Sequence, residues 1–237
     1  MKNESVMKNE KIARADTIET KVYRELRRSI MQGVFSPGEK LSLRGLATAL
    51  GTSVMPVRSA LNRLNAERAC EQGDNRSFII PMMTPEKFVE VTFWRGQLEG
   101  RAAEIAAPVM SAENLDKIKI LTEEMGQCFD AGDWRGVLNH NFDFHFTLYQ
   151  AAPSIILMPM IEALWLQMGP FTHFALPSPR FVWNSEHHLK IIKAIGDKDG
   201  PAAARAVRND IDSMSKFLTK AGFQERDGIR PVMSDVR

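Results

Sequence analysis

The 237-residue sequence has few of the features that mark secreted or membrane proteins. It contains only two cysteines, Cys70 and Cys128, which lack CxxC spacing, so we expect reduced thiols in a cytoplasm rather than disulfides. Its longest apolar run, near residues 155–166, is interrupted by a proline and a glutamate and is shorter than the about 20 residues that a membrane helix needs. The first 16 residues have no apolar stretch, which argues against a secretory signal.

Charge is nearly balanced over the whole chain but is unevenly distributed along it. The net charge is +2, with 44% hydrophobic and 25% charged residues, which is ordinary for a globular protein. Residues 1–83 hold 14 Lys and Arg against 9 Asp and Glu, a net of +5, whereas residues 84–237 hold 17 against 20, a net of −3. This asymmetry favours a small DNA-binding head on a body that does not bind DNA.

Residues 20–83 have the pattern of a compact helical domain. Apolar residues recur at four-residue spacing in a first helix, which we expect to begin near Thr20 and to end at Gly33. A short second helix follows Ser42, which is a good N-cap residue, and it stops at Gly51. Its short length is typical of the first helix of a helix-turn-helix.

The third predicted helix follows a tight turn, with Ser53 as its N-cap and Pro56 in its first turn, where the missing N–H breaks no helical bond. One face of this helix is apolar and comprises Val57, Ala60, Leu61 and Leu64. The opposite face carries Met55, Arg58, Ser59 and Asn62. Arginine can bond guanine through two hydrogen bonds and asparagine can do the same with adenine, so this face suits a recognition helix in the major groove.

Two short apolar stretches after this helix predict a β-hairpin. They lie at residues 69–71 and 78–80 and flank the turn sequence Gly73-Asp74-Asn75. A hairpin in this position is the wing of a winged helix-turn-helix. Arg76 lies near its tip, where it can reach a phosphate or the minor groove.

Residues 22–82 resemble the DNA-binding domain of the GntR family. The resemblance rests on an ordered series of motifs: Pro37-Gly38-Glu39-Lys40-Leu41, Leu46-Ala47, Gly51, Ser53 and Pro56-Val57-Arg58-x-Ala60-Leu61. It implies that DNA is contacted by Arg44, Ser53, Val54, Met55, Pro56 and Arg58. The sequence departs from the family at Val54, where arginine is frequent, and at Arg68-Ala69, where Gly-Leu is frequent and glycine supplies a left-handed cap.

Residues 84–222 show helical periodicity and almost no strand pattern. We predict six helices, at about 85–107, 111–130, 133–151, 155–174, 184–196 and 200–221. Ser111 and Asp133 are candidate caps, and Pro159 either opens or kinks the fourth of these helices. We expect residues 1–19 to be a flexible arm and residues 223–237 a loose tail. The expected fold is mainly α, with an N-terminal winged helix-turn-helix and a C-terminal all-α antiparallel helical bundle.

Four polar residues interrupt the apolar helix faces of this body: Asn141, His145, His188 and Asp210. Asn141 and His145 are four residues apart and so share a helix face. His188 and Asp210 are equally distant from the turn at residues 196–200, so an antiparallel hairpin places them opposite each other. Buried polar groups must pair or coordinate something, and these nitrogen and oxygen ligands fit Zn²⁺, Ni²⁺ or a similar divalent ion. The alternative is that each histidine is a hydrogen-bonded core residue.

Residues 85–220 resemble the helical effector domain of FadR-type GntR regulators, in the shorter VanR-like branch. The matching motifs are Arg95-x-x-Leu98-Glu99, Asn141-x-x-x-His145-x-x-Leu148, and Glu186-His187-His188 with Ala194-Ile195. Many members hold a metal with Asp and His on one helix and two later His, and the same positions here are Asn141, His145, His188 and Asp210. Thus Asn stands where Asp is usual, and Asp stands where His is usual.

Arg95, His145 and His188 are the candidate effector-binding residues. Arg95 can bind an effector carboxylate through two hydrogen bonds, or it can form an i,i+4 ion pair with Glu99. We regard His173 and His187 as incidental.

These features predict a cytoplasmic, homodimeric transcriptional repressor that is not an enzyme. Its two recognition helices would enter successive major grooves of a palindromic operator. The resemblance implies that a small organic acid, bound through the metal, favours one arrangement of the heads. One alternative is a metal sensor with the ion itself as effector. Another is a metal-dependent hydrolase fused to a DNA-binding head, although we find no evident general base or nucleophile beside the cluster.

Overall fold

The computed structural model describes residues 17–73, 77–175, 184–220 and 223. Most of the expected N-terminal arm, the hairpin tip with Arg76 and most of the C-terminal tail lie outside the described residues. No helix within those ranges has the length and apolar character needed to cross a membrane. Phe223, which begins the expected loose tail, packs its ring on those of Phe88 and Phe171.

The N-terminal part is a winged helix-turn-helix, as predicted. Its helices are α1 (Ile18–Met31), α2 (Leu43–Ala49) and α3 (Val54–Ala66). Its strands are β1 (Lys40–Leu41), β2 (Glu71–Gln72) and β3 (Phe78–Ile79). The strands form an antiparallel sheet in the order β1-β3-β2, so the wing hairpin is joined by a third strand that the sequence pattern did not reveal.

Local capping and apolar packing explain where the helices of this part lie. Helix α1 begins two residues before the predicted start because the Thr17 side chain accepts a hydrogen bond from the backbone N–H of Thr20. Ser42 caps α2 in the same way. The buried face of α3 is the predicted one and packs against α1 in a shared core: Val57, Ala60, Leu61 and Leu64.

Arg68, between α3 and the wing, stands where glycine is frequent in the family that this part resembles. Its φ of 59° lies in the left-handed region, which is the conformation that glycine adopts easily in this position. The chain therefore makes the turn into β2 that a glycine would make. Because Arg68 has a Cβ, this left-handed conformation costs about 1 kcal/mol of folding free energy.

The C-terminal part is an all-helical bundle whose helix bounds lie within two residues of those predicted. The helices are α4 (Pro85–Ala106), α5 (Ala112–Asp130), α6 (Trp134–Gln150), α7 (Leu157–Ala175), α8 (Glu186–Gly196) and α9 (Gly200–Thr219). Ser111 and Asp133 cap α5 and α6, as expected. Pro159 is the third residue of α7, so it opens that helix rather than kinking it.

Small side chains bring the helices of the bundle close together. Helix α4 packs along α9, where a Cβ atom on Gly100 would lie 3.3 Å from the carbonyl oxygen of Ala204 and one on Gly200 would lie 2.5 Å from that of Glu104. Helix α5 packs on α6, and α8 and α9 form the antiparallel hairpin expected from the turn at residues 196–200. This arrangement turns polar residues of α6, α8 and α9 toward one interior space.

The two parts of the chain are in direct contact through α1 and α7. Gly169 of α7 faces the C-terminal end of α1, and a Cβ atom on Gly169 would lie 2.4 Å from the carbonyl oxygens of Ile30 and Met31. Only glycine permits this approach of two backbones. The end of the first helix of the DNA-binding head therefore rests against the helical body.

Candidate functional site

The predicted recognition face of α3 is open to solvent. Ser53 and Asn62 are exposed, and 68% of Met55 is accessible. Arg58 is half-buried on the same face, and within the described ranges its guanidinium forms no ion pair. A groove-binding face with polar and cationic side chains is therefore available at the start of the helix.

Three residues at this face differ from the simplest expectation. Ser53 is the N-cap of α3, but its side chain makes no capping hydrogen bond. Val54 packs partly against the core of the head, so only part of its side chain is available to DNA. Pro56 is also half-buried in the first turn.

The remaining basic residues of the head have distinct environments. Arg44 on α2 is exposed and pairs with no acidic group among the described residues. The guanidinium of Arg63 lies 3.7 Å from the centre of the Tyr23 ring, so Arg63 stacks on α1 instead of adding to the recognition face. Arg76 lies outside the described residues.

The polar residues expected in the body meet at a cavity of about 330 Å³. Asn141, His145, His188 and Asp210 all line it. His145 and His188 are buried, at 3% and 5% exposure. One ligand atom from each of His145, His188 and Asp210 lies within 4.8 Å of the other two. The prediction that these side chains converge is therefore matched by their positions.

Burial and mutual contact set the charges in this cluster. Burial lowers the pKa of His188 to about 4, despite the opposing effect of Asp210. Burial acts to raise the pKa of Asp210, but a hydrogen bond from His145 and the nearby His188 outweigh it and hold that pKa at about 2. Near neutral pH the cluster thus offers a neutral imidazole and a carboxylate, the forms in which both residues bind metals.

The donor set fits a divalent metal ion. Ligands placed about 2.1 Å from a tetrahedral Zn²⁺ lie about 3.4 Å from one another. His145 Nε2 and Asp210 Oδ2 are already 3.4 Å apart, and the whole set needs only small side-chain shifts to converge. Asn141 lies one helical turn before His145 and can supply a neutral oxygen.

Arg95 forms the ion pair with Glu99 and also lines the cavity. Its Nε and Nη2 atoms donate to the two carboxylate oxygens of Glu99 at 2.6 and 3.3 Å, and its guanidinium lies 4.6 Å from the centre of the Trp165 ring. Glu99 is fully buried and also accepts a hydrogen bond from Tyr149. Two of the three guanidinium nitrogens are thus already engaged by the protein.

Several contributors to the cavity wall were not predicted from the sequence, among them His187, Met31 and Gln32. His187 looks incidental in the sequence, yet it lines the cavity, and its Nδ1 is buried with no hydrogen-bond partner among the described residues. Met31 and Gln32, at the end of α1, line the same cavity from the DNA-binding head. No signal in the sequence places them there, because the contact depends on how the two parts dock.

Both parts of the chain match known families. Residues 18–80 match the gntR family of bacterial regulatory proteins, and residues 90–213 match the FCD domain. The chain is 30% identical over 181 residues to the HTH-type transcriptional regulator McbR of Escherichia coli (strain K12), spanning 75% of this chain and 82% of McbR. It is 24% identical over 224 residues to the HTH-type transcriptional repressor RspR of the same strain, spanning 89% and 92%.

Solved structures agree with this similarity. The structure titled E. coli McbR/YncC matches with a TM-score of 0.79 at 26% identity, covering 86% of this chain and 98% of that one. A GntR regulator from Rhodococcus sp. RHA1 matches with a TM-score of 0.70 at 22% identity, which supports the fold.

Proposed function

Because the chain belongs to the GntR family of DNA-binding transcriptional regulators and carries an FCD domain, we propose that it is a repressor whose operator binding responds to a small organic acid. Its family and relatives are regulators and not enzymes, so the hydrolase alternative is set aside. The observation that carries the proposal is the cavity, which joins a metal-ligand cluster to a wall contributed by the DNA-binding head. RspR is named a repressor, which supports the direction of control.

The metal is held by His145, His188 and Asp210, with Asn141 as a fourth, weaker ligand. The support is the convergence of their ligand atoms in a buried space and the charge states that the cluster favours. A bound Zn²⁺ or Ni²⁺ ion supplies a Lewis acid that can hold a carboxylate oxygen. The neutral amide of Asn141 makes a weaker ligand than a carboxylate, so we expect modest affinity.

The effector is a small carboxylate. A cavity of about 330 Å³ is at the lower end of the range for small-molecule sites, so it suits a compact molecule. Around the proposed ion stand groups that can hydrogen-bond an anion, namely Arg95 Nη1, which is the guanidinium nitrogen not bonded to Glu99, and the ring of His187. Apolar side chains such as Trp165 and Leu138 line the rest.

A ligand bound in the cavity affects the DNA-binding head through α1. Met31 and Gln32 form part of the wall, and Gly169 lets α1 lie directly on α7. A ligand that touches both parts favours the docked arrangement, because it binds that arrangement more tightly than any other. The position of α3 relative to the body is thereby linked to ligand binding.

The regulator acts as a homodimer in the cytoplasm, on a palindromic operator. An exposed apolar face of α4, formed by Val89, Phe93 and Trp94, is a candidate contact between two copies. Two α3 helices about 34 Å apart would then read successive major grooves. Light scattering of the wild type and of a Phe93→Glu variant measures the state of assembly, and a dimer that survives this change would place the interface elsewhere.

The test of the proposal combines metal analysis with operator binding. An operator is first selected from random duplexes at low salt, and the metal content of the purified protein is measured. Operator affinity is then titrated with Zn²⁺ and with a panel of two- to six-carbon carboxylates. We expect a carboxylate to weaken operator binding only when metal is present. A response to Zn²⁺ alone, abolished by a chelator, would instead favour the metal-sensor alternative.

A further inference from the structure

A chain of buried hydrogen bonds runs from α4 to the proposed metal ligand on α6. Arg95 donates two hydrogen bonds to Glu99, and the hydroxyl of Tyr149 lies 2.8 Å from Glu99 Oε2. The same hydroxyl lies 3.0 Å from His145 Nδ1. Glu99 and Tyr149 are fully buried, so water does not compete for these bonds.

The protons in this chain can be assigned from its donors and acceptors. Glu99, paired with Arg95, is an anionic acceptor, and a hydrogen bond to a charged group is stronger than one to a neutral group. The single proton of Tyr149 therefore points to Glu99, as its hydrogen bond indicates. The Tyr149 oxygen is left with lone pairs only, so the matching proton at the 3.0 Å contact belongs to His145 Nδ1.

The other ring nitrogen of His145 faces the cluster. His145 Nε2 lies 3.4 Å from Asp210 Oδ2, so it is the ring nitrogen that belongs to the proposed ligand set. A ring nitrogen that carries a proton cannot coordinate a metal, so His145 would hold a divalent ion through Nε2 with its remaining proton on Nδ1. That form is stable only if Nδ1–H has an acceptor, and Tyr149 supplies it.

We propose that Tyr149, oriented by Glu99, is a positioning residue that holds the proton of His145 on Nδ1 and so makes Nε2 the ligand atom for a divalent ion. This inference rests on the proposed metal site. Histidine ligands generally donate their second N–H to a carboxylate, carbonyl or water. Here the acceptor is the Tyr149 oxygen, and the Tyr149 hydroxyl in turn donates to the carboxylate of Glu99. Tyr149 touches no ion itself.

The first test measures Zn²⁺ affinity of the full-length protein by competition with a chelator. Tyr149→Phe removes one oxygen from the chain, and we expect a loss of affinity of about 10- to 100-fold. Glu99→Gln keeps the shape but removes the charge and should lower affinity in the same direction. Tyr23→Phe is the matched control, because Tyr23 is the other tyrosine of the sequence and donates to Glu67 in the head. Thermal unfolding confirms that each variant is folded.

A second test reads the ring nitrogens directly. Protein with ¹⁵N-labelled histidine is loaded with ¹¹³Cd²⁺, and the nitrogen coupled to cadmium is identified by NMR. We expect coupling to Nε2 of His145 and a slowly exchanging proton on Nδ1, which exchanges faster in Tyr149→Phe. Coupling to Nδ1, or unchanged Zn²⁺ affinity in Tyr149→Phe, would overturn the inference while leaving the metal site intact. A wild type that binds neither ion would overturn the metal site as well.

Discussion

Arg28 Nη2 donates to Asp143 Oδ1 at 2.9 Å and thereby joins α1 of the DNA-binding head to α6 of the helical body. Asp143 lies between Asn141 and His145 in the sequence, so the helix that carries two proposed metal ligands is tied to the head. The Arg28 guanidinium also lies 5.5 Å from the centre of the Phe142 ring. If the proposed effector shifts α6, this contact would transmit the shift to α1.

The first prediction compares Arg28 with its neighbour Arg27. Arg28 and Asp143 are largely exposed, so Arg28→Ala should cost about 1 kcal/mol of unfolding free energy or less. Arg27 is mostly buried and bridges Glu67 of the head to Glu162 of α7, so Arg27→Ala should cost about 1–3 kcal/mol. Urea unfolding measures both. Equal costs would show that the two ion pairs of Arg27 do not add to the stability of the folded protein.

The second prediction concerns the close approach at Gly169. Gly169→Ala places a Cβ against the carbonyl groups of Ile30 and Met31, so it should force α1 away from α7 and destabilise the protein by about 1–3 kcal/mol. Gly96→Ala is the matched control, because its nearest atom is an Arg208 side-chain carbon at 3.8 Å and alanine favours the helix.

Operator binding and thermal unfolding of both glycine variants decide the matter. We expect Gly169→Ala to lose the response of operator affinity to ligand, and Gly96→Ala to keep it. A Gly169→Ala variant as stable and as responsive as Gly96→Ala would show that docking through α1 does not carry the signal.

The third prediction concerns the recognition helix. Arg58→Ala should weaken operator binding by about 1–3 kcal/mol and relax the base preference at one position. Arg63→Ala, in the same helix, removes an arginine that stacks on Tyr23, so it should leave operator affinity almost unchanged. Fluorescence anisotropy at several salt concentrations gives both affinities. If Arg63→Ala weakens binding as much as Arg58→Ala, the DNA-contacting face has been assigned to the wrong side of α3.

The fourth prediction concerns the pH dependence of the metal-free protein. The pKa of His188 is about 4 in the folded protein and near 6.5 when unfolded, so between these values the unfolded chain binds more protons. The free energy of unfolding is therefore unaffected by this group above pH 6.5. It falls by up to about 3 kcal/mol as the pH drops from 6.5 toward 4. Asp210 affects stability only at lower pH, because its pKa in the folded protein is about 2.

Urea unfolding at pH 7.5 and pH 5 with a chelator present checks this slope. In His188→Gln we expect the difference between the two pH values to shrink, since the titrating ring is gone. An equal pH dependence in wild type and variant would contradict the assignment.

Helix positions and the convergence of four polar residues were predictable because both follow from local periodicity. Asn141 and His145 share a face through their spacing in one helix, and His188 and Asp210 meet because a short turn joins their helices. Each inference needs only the geometry of one helix or of one hairpin.

The features that escaped prediction depend on tertiary packing. Gln32 lines the cavity because Gly169 allows α1 to lie close against α7. No local sequence pattern predicts this approach. His187 lies beside the apolar stripe of α8, and the cavity is wide enough to include it. The left-handed conformation of Arg68 was not predicted, because the sequence lacks the glycine that normally indicates such a turn.

Since Met31 and Gln32 line one side of the cavity, the helical body alone does not form the whole of the proposed effector site. A fragment that begins at α4 would leave that side open to water, and a carboxylate bound there would be partly hydrated. Screening for ligands on such a fragment would therefore miss compounds that the intact chain retains.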